Sequence, residues 1–103
     1  MAGKPHVMIA EARFYERIAD ALVDGAVGAL DEAGASYERC GVPGSFEIPA
    51  AIHFAAEAMK KPDPPFHFDG VIGRGCVIRG ETSHYDYVCE QSARGLQDLA
   101  LVY

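Results

Sequence analysis

The residues best suited to chemistry lie together where Gly80, Glu81, Thr82 and Ser83 lead into a helical pattern that begins at about His84. A helix start offers unpaired N–H donors and a partial positive charge, so it attracts a phosphate or a carboxylate. The Thr82 hydroxyl adds a hydrogen bond, and His84 is placed to move a proton beside a bound anion. An ordinary capped helix with a surface histidine fits the same stretch, so the spacing alone leaves both interpretations open.

Residues around this stretch refine the kind of site it could form. Arg79 precedes it and is expected to support a phosphate by its charge, and Ser83 with Asp86 has the spacing of a capping box. Gly73 and Gly75 lack the third glycine of a dinucleotide-binding fingerprint. No two His or Cys residues have the spacing of paired ligands, so a zinc site is not indicated.

Two earlier loops carry further candidates. Phe14 follows the first apolar run and could stack on a planar heterocycle, although a single phenylalanine is also typical of a core. Ser45, Phe46 and Glu47 place backbone donors, an aromatic ring and a carboxylate side by side. Glu47 can accept hydrogen bonds from a ligand, or simply favour the dipole of the helix that follows.

The elements that must position these residues alternate between strands and helices. The predicted strands cover residues 6–10, 37–42 and 70–78, and the predicted helices begin at about residues 15, 48 and 84. The proline-rich residues 60–69 form a surface connection. Pro49 fits the first turn of the second helix, where its missing N–H costs little.

The first helix has the clearest pattern. Gly34 is placed to end it in a left-handed cap, and Gly25 and Gly28 within it predict a close approach to a sheet or a neighbour. Its apolar face is predicted to consist of Ile18, Leu22, Ala26, Ala29 or Leu30, and Ala33. The third helix is predicted to present Tyr85, Val88, Ser92, Leu96 and Leu99 on one face.

This β-α-β-α-β-α order predicts an α/β fold, a three-layer α/β/α sandwich with a parallel sheet and right-handed crossovers. The loops after parallel strands converge at one edge of the sheet, so the three candidate loops should meet there. Three strands make a thin sheet with an exposed edge, so a fourth strand is expected from a missing part or from another chain.

Composition limits the class of protein. The 103 residues correspond to one domain, residues 1–103, and half of them are hydrophobic, as in a globular chain. The net charge of −6 argues against a general nucleic-acid binder. No apolar run suggests a membrane span and no secretory signal is visible, so a cytoplasmic protein is expected. Cys40, Cys76 and Cys89 are expected to be free thiols.

Several segments, in order, resemble the lumazine synthase family of riboflavin biosynthesis, whose fold is flavodoxin-like. They are residues 12–14, 42–49, 75–88 and 93–96. The resemblance implies a transferase that condenses 5-amino-6-(D-ribitylamino)uracil with 3,4-dihydroxy-2-butanone 4-phosphate to give 6,7-dimethyl-8-ribityllumazine, phosphate and water. Imine formation, phosphate elimination and ring closure need no cofactor and no metal. The resemblance also implies homo-oligomers, either pentamers or icosahedral shells of twelve pentamers, with active sites between subunits.

Site roles follow from the same resemblance. Phe14 would stack on the pyrimidine, Glu81 and Thr82 would receive the phosphate at the helix start, and His84 would donate a proton. The residues expected to line the ribityl and pyrimidine pocket are Ser45, Phe46, Glu47, Cys76, Val77 and Ile78.

Two departures from the family pattern qualify the resemblance. Tyr15 stands where many members have Asn, and the family continues through a C-terminal third that supplies a fourth strand, two helices and a phosphate-contacting arginine. The chain is therefore expected to be C-terminally incomplete, with a separate C-terminal fragment as a candidate partner. A non-catalytic ligand-binding or shell-forming homologue is the alternative. A flavodoxin-like signalling module would need an acidic cluster, and only Glu11 and Glu47 stand at the strand ends.

Overall fold

A computed structural model describes residues 5–103 as alternating strands and helices, in the order that the sequence predicts. The elements are β1 (His6–Ala12), α1 (Glu16–Ala33), β2 (Ser36–Val42), α2 (Ile48–Met59), β3 (Gly70–Arg74) and α3 (His84–Val102). One turn of 3-10 helix, Ser45–Glu47, leads into α2. Pro49 lies in the first turn of α2, and Gly34 ends α1 at a left-handed φ of 74°.

The three described strands form a parallel sheet in the order β2-β1-β3. The crossover from β1 to β2 and that from β2 to β3 run in opposite directions across the sheet. Right-handed crossovers therefore place α1 and α2 on opposite faces. The α/β class with a parallel sheet and helices on both faces is confirmed, and the fourth strand stays a prediction.

Successive side chains of the central strand β1 point to opposite faces of the sheet. Met8, Ala10 and Ala12 form a buried cluster with Ile48 and Ala55 of α2. Because side chains alternate along a strand, the residues between them point toward α1. One of these residues, at the carboxyl end of β1, is charged, and it becomes part of the site described below.

The buried face of α1 differs from the prediction. Its buried residues are Ala19, Val23 and Ala26, and Ile18 is 40% exposed. Ala29 and Ala33 are also exposed, while Leu22 and Leu30 are only partly buried. The apolar stripe is broad, and the sheet takes the side with two small alanines, which allow the helix axis to approach the strands closely.

The close approach to the sheet predicted for Gly25 and Gly28 is not found in the described part of the chain, and an approach to a neighbouring molecule stays a prediction. Both glycines are exposed, and a Cβ at either position would meet nothing within 4 Å beyond the adjoining helix backbone. The two residues face away from the sheet because the stripe that α1 buries lies on its other side.

The third strand is shorter than predicted. It ends at Arg74, whose partner Glu11 is the last residue of β1 to pair with β3. The apolar residues after Arg74 have no strand beside them and form a loop, which frees them to line a cavity. No helix among residues 5–103 is long and apolar enough to cross a membrane.

Candidate functional site

The loops that follow the three strands enclose a cavity of about 420 Å³ at the carboxyl edge of the sheet. This is where open parallel sheets bind ligands. Its lining residues are Phe14, Tyr15, Pro43, Gly44, Ser45, Phe46, Glu47, Cys76, Val77, Ile78, His84 and Val88. The cavity therefore draws on all three loops and on the first turns of α3.

The loop after β1 presents an aromatic ring at the mouth of the cavity. Phe14 is 73% exposed and meets Tyr15 edge-on, with ring centroids 5.0 Å apart. The backbone N–H of the preceding Arg13 donates to the carbonyl oxygen of Val42, at 3.4 Å, at the end of the neighbouring strand. The ring therefore offers an open face on a backbone that is tied to the sheet.

A buried carboxylate lies directly behind this loop. Glu11 is only 3% exposed, and its Oε1 accepts hydrogen bonds from Arg13 at 2.7 Å and from Arg39 at 2.8 Å. Its Oε2 accepts from Nε of Arg39 at 3.0 Å. These bonds, chiefly those from Arg39, hold the pKa of Glu11 below its usual value although burial opposes this. Arg13 also pairs with Asp20 of α1.

Sequence reasoning noticed Glu11 only as an acidic residue at a strand end. The available signal was a charged residue inside an apolar strand, since a buried charge needs a partner. Arg39, its bidentate partner, is 28 residues away in the chain and becomes a neighbour only through strand pairing.

The loop after β2 is packed tightly against the loop after β3. The hydroxyl of Ser92 in α3 donates to the carbonyl oxygen of Ser45 at 2.9 Å. A Cβ at Gly75 would clash with Oγ of Ser45 and lie 3.2 Å from its Cβ, so the two loops are in close contact here. The Ser45 hydroxyl is itself buried without a hydrogen-bond partner among the described residues.

Glu47 has its carboxylate folded toward Gly44, where Oε2 would lie 3.3 Å from a Cβ. The backbone N–H of Glu47 donates to the carbonyl oxygen of Gly44 at 3.1 Å and closes the turn. Glu47 and Phe46 remain exposed, so a carboxylate and a second aromatic ring face the cavity from this loop.

The start of α3 does not have the predicted capping box. Ser83 makes no side-chain cap hydrogen bond, and its φ of −78° and ψ of 2° lie outside the β region that capping side chains favour. Asp86 instead pairs with Arg79 at 3.3 Å. Thr82 acts locally, since its Oγ1 accepts from the backbone N–H of His84 at 3.3 Å.

Of the predicted site residues, the structure brings together around the cavity Phe14, Ser45, Phe46, Glu47, Cys76, Val77, Ile78 and His84. Glu81, Thr82 and Arg79 do not line it, and the Arg79 guanidinium lies 4.3 Å from the ring centroid of Tyr85. The binding role of every one of these residues stays a prediction.

Four lining residues were not among the predicted site residues: Tyr15, Pro43, Gly44 and Val88. Val88 could have been found from the helical period, because it lies one turn after His84 on the same face. Within residues 5–103 no group of three or more His, Cys, Asp or Glu side chains is arranged to hold a metal ion.

Comparison with known proteins fits this geometry. The family model for 6,7-dimethyl-8-ribityllumazine synthase matches residues 4–103. The 6,7-dimethyl-8-ribityllumazine synthase of Bartonella tribocorum is 52% identical over 101 residues, which are 98% of this chain and 63% of that protein. Its counterpart from Agrobacterium fabrum is 51% identical over 96% of this chain and 66% of the relative. That from Afipia carboxidovorans is 52% identical over 92% of this chain and 57% of the relative.

The chain thus spans between 57% and 66% of the length of these curated relatives. The match nevertheless includes all three strands and all three helices of the described structure, together with every loop that lines the cavity. The chain belongs to the 6,7-dimethyl-8-ribityllumazine synthase family.

Proposed function

We propose that the protein catalyses the condensation of 5-amino-6-(D-ribitylamino)uracil with 3,4-dihydroxy-2-butanone 4-phosphate to give 6,7-dimethyl-8-ribityllumazine. The observation that carries this proposal is the cavity itself. Three loops that are far apart in the chain meet there, and each contributes residues that the family resemblance assigns to substrate. The names of the curated relatives support the same reaction.

The pyrimidine lies against Phe14 in this proposal. An exposed ring at the mouth of a largely apolar cavity is a stacking platform for a planar heterocycle. Glu47 and the backbone of the loop after β3 supply hydrogen-bonding groups for the ring and the ribityl chain. The cavity of about 420 Å³ lies within the range of small-molecule sites.

The phosphate lies at the start of α3. The N-terminus of a helix of this length carries donors and a partial positive charge, and the Thr82 hydroxyl stands beside it. Arg79 and its partner Asp86 both have exposed side chains, so the guanidinium is free to turn toward an anion. Glu81 contributes through its backbone, since its carboxylate would repel a phosphate.

His84 is the proton donor. It lines the cavity and occupies the first turn of α3, next to the proposed phosphate position. The amine of the pyrimidine attacks the ketone and water leaves as the imine forms. Phosphate is then eliminated, and ring closure releases a second water. A proton delivered to the departing phosphate lowers the barrier of the elimination.

The active unit is a homo-oligomer, a pentamer or a shell of pentamers. Phe14, Phe46 and Ile78 remain more than half exposed around the cavity. In a monomer these apolar side chains would face water, whereas a neighbouring subunit would cover them and close the site. Native mass spectrometry of the purified protein measures the number of subunits, and a monomer at working concentration would contradict this part of the proposal.

The reaction is tested by mixing the protein with both substrates and following the absorbance of the lumazine product. A parallel sample also contains the C-terminal part of the Bartonella tribocorum relative as a separate polypeptide, because the chain spans 63% of that protein. Product in either sample supports the proposal. Tight binding of ribitylaminouracil without product in both would instead indicate a non-catalytic homologue.

The variant His84→Ala tests the assigned chemistry. Loss of a general acid slows turnover by about 10²-fold or more and leaves substrate affinity largely unchanged. Equal turnover numbers for the variant and the parent protein would remove His84 from the mechanism.

A further inference from the structure

We propose that Arg13 is a positioning residue: anchored on the buried Glu11 carboxylate, it fixes the loop after β1 so that the Phe14 ring stands ready to receive the pyrimidine. This inference rests on the proposed function and deepens it. Phe14 is the residue that would touch the substrate, and Arg13 acts through it.

The need for a positioning residue follows from the exposure of Phe14. The side chain is 73% exposed and its ring contact is the edge-on one with Tyr15. A ring with so little packing has several rotamers open to it, and ordering it upon binding costs affinity. The backbone on which it stands must therefore supply the order that packing does not.

Arg13 supplies that order through three attachments to three different elements. Its backbone N–H donates to Val42 at the end of β2, its guanidinium donates to Glu11 of β1 at 2.7 Å, and it pairs with Asp20 of α1. Three attachments in different directions fix both the position and the orientation of a residue. Since Phe14 is next in the chain, the attachments of Arg13 restrict where its Cα lies and so limit the freedom of the ring.

Glu11 is a rigid anchor because it belongs to the central strand β1 and its side chain is buried. Arg39 binds both carboxylate oxygens from the neighbouring strand, in the bidentate geometry that gives the strongest such pairs. The carboxylate is 3% exposed and stays ionised because these hydrogen bonds lower its pKa. Arg13 therefore binds a group whose position is set by the sheet.

Arg39 also provides a matched control within the same network. It shares the Glu11 carboxylate with Arg13, yet every side-chain hydrogen bond that it makes among the described residues goes to Glu11. A purely structural role of the network predicts similar consequences for loss of either arginine. A positioning role predicts that only Arg13 changes recognition of the pyrimidine.

The experiment compares Arg13→Gln, Arg39→Gln, Phe14→Ala and the double variant Arg13→Gln/Phe14→Ala in the protein form that gives turnover. Arg13→Gln is expected to raise KM for ribitylaminouracil about tenfold, a part of what an aromatic stacking platform contributes, with kcat changed less than about twofold. Arg39→Gln lowers the thermal midpoint and leaves KM within about twofold. In the Phe14→Ala background, Arg13→Gln adds no further increase in KM.

Equal KM changes for the two arginine variants, or additive effects in the double variant, would overturn the inference. Arg13→Lys serves if Arg13→Gln does not fold, because lysine keeps the pair with Glu11 but lacks the planar fork that reaches Asp20 as well. Its KM should lie between those of the parent and Phe14→Ala, and an unchanged KM counts against the positioning role.

A second readout separates this inference from the proposed function. Fluorophenylalanine is incorporated, and the ¹⁹F resonance of Phe14 is assigned by its absence in Phe14→Ala. Arg13→Gln should shift or broaden that resonance, whereas Arg39→Gln should not. If the parent protein neither binds nor converts ribitylaminouracil, the proposed function fails. The ¹⁹F comparison then decides alone whether Arg13 sets the position of the ring, and identical spectra for the two arginine variants reject that role.

Discussion

The loops after β1 and after β3 both line the cavity, and the ion pairs that hold them contrast. The loop after β1 is attached through Arg13 to Glu11, a carboxylate that is 3% exposed. The loop after β3 is attached through the ion pair of Arg79 with Asp86, whose side chains are 66% and 59% exposed. A buried charge that loses its partner costs several kcal/mol, whereas an exposed pair contributes little. The two loops therefore differ in how strongly their ion pairs hold them.

This difference fits the two kinds of group that the cavity is proposed to bind. A planar ring binds best to an aromatic side chain that is held at one angle, so a rigid anchor for the loop that carries Phe14 favours binding. A phosphate at a helix start is bound by backbone donors that the helix itself orients. The loop around it can leave Arg79 exposed and free to approach the anion. The contrast leads to four predictions, taken from the largest effect to the smallest.

The largest effect is expected from Glu11→Ala. Removal of the carboxylate deletes its three charge-assisted hydrogen bonds to Arg13 and Arg39 and should lower the free energy of unfolding by about 2–4 kcal/mol. The exposed counterpart Asp86→Ala should lower it by less than about 1 kcal/mol. Urea denaturation of both variants and the parent measures the difference. Equal losses would show that the two loops are held with similar strength.

The second prediction concerns the contact between the loops after β2 and β3. Gly75→Ala places a methyl group against the hydroxyl of Ser45 and 3.3 Å from Cδ1 of Ile48, so the hydroxyl must rotate and the surrounding side chains must shift. Overpacking of this kind costs about 1–3 kcal/mol. Gly80→Ala is the matched control in the same loop, because a Cβ there meets nothing within 4 Å. Its unfolding free energy should stay within about 0.5 kcal/mol of the parent, and a similar loss in both variants would contradict the close contact.

These residues show which parts of the molecule the sequence could predict. The order of elements, the left-handed Gly34 and the three converging loops follow from local patterns, and the structure has all of them. The end of β3 was misplaced because it depends on where β1 stops pairing, which the residues after Arg74 do not encode. The buried face of α1 was misplaced because a broad apolar stripe leaves the helix rotation to the sheet.

The Glu11 network marks a different limit. Its acceptor and its main donor lie 28 residues apart on neighbouring strands. Their meeting depends on strand order and register, with Ile9 opposite Arg39 and Glu11 on the same face two residues later. Neither the strand order nor the register can be predicted from local periodicity. The cavity-lining residues were easier to find, because parallel strands bring the loops that follow them to one edge.

The third prediction concerns how the stability provided by Glu11 depends on pH. The hydrogen bonds from Arg39 and Arg13 lower the pKa of folded Glu11 below its usual 4.5. Its contribution to stability is therefore complete above pH 4.5 and is lost as the pH falls through the lower, folded pKa. The free energy of unfolding should decline below that pH, and in Glu11→Gln it should decline less steeply. Asp69, whose pKa is lowered chiefly by the backbone N–H of His6, contributes in the same direction.

Asp69→Asn is accordingly the control for the acid titration. It removes a carboxylate with a lowered pKa from the opposite end of β1 and leaves Glu11 intact, so part of the decline should persist. Parallel curves for Glu11→Gln and the parent between pH 5 and pH 3 would show that Glu11 does not stabilise the fold through its charge.

The smallest effect on the free energy of unfolding is expected from Arg79→Gln, in the loop after β3. Arg79 pairs with Asp86 at 3.3 Å and lies over the Tyr85 ring at 4.3 Å. Because both partners of the ion pair are exposed, and an exposed cation–π contact is also weak, the loss should stay below about 1 kcal/mol. Salt screens the ion pair, so the difference from the parent should shrink further in 1 M NaCl.

Arg94→Gln removes another exposed pair, with Asp98 at 3.9 Å, and should behave alike. A loss above about 2 kcal/mol for Arg79→Gln alone would mean that the loop after β3 is also rigidly anchored, and the contrast between the two loops would fail.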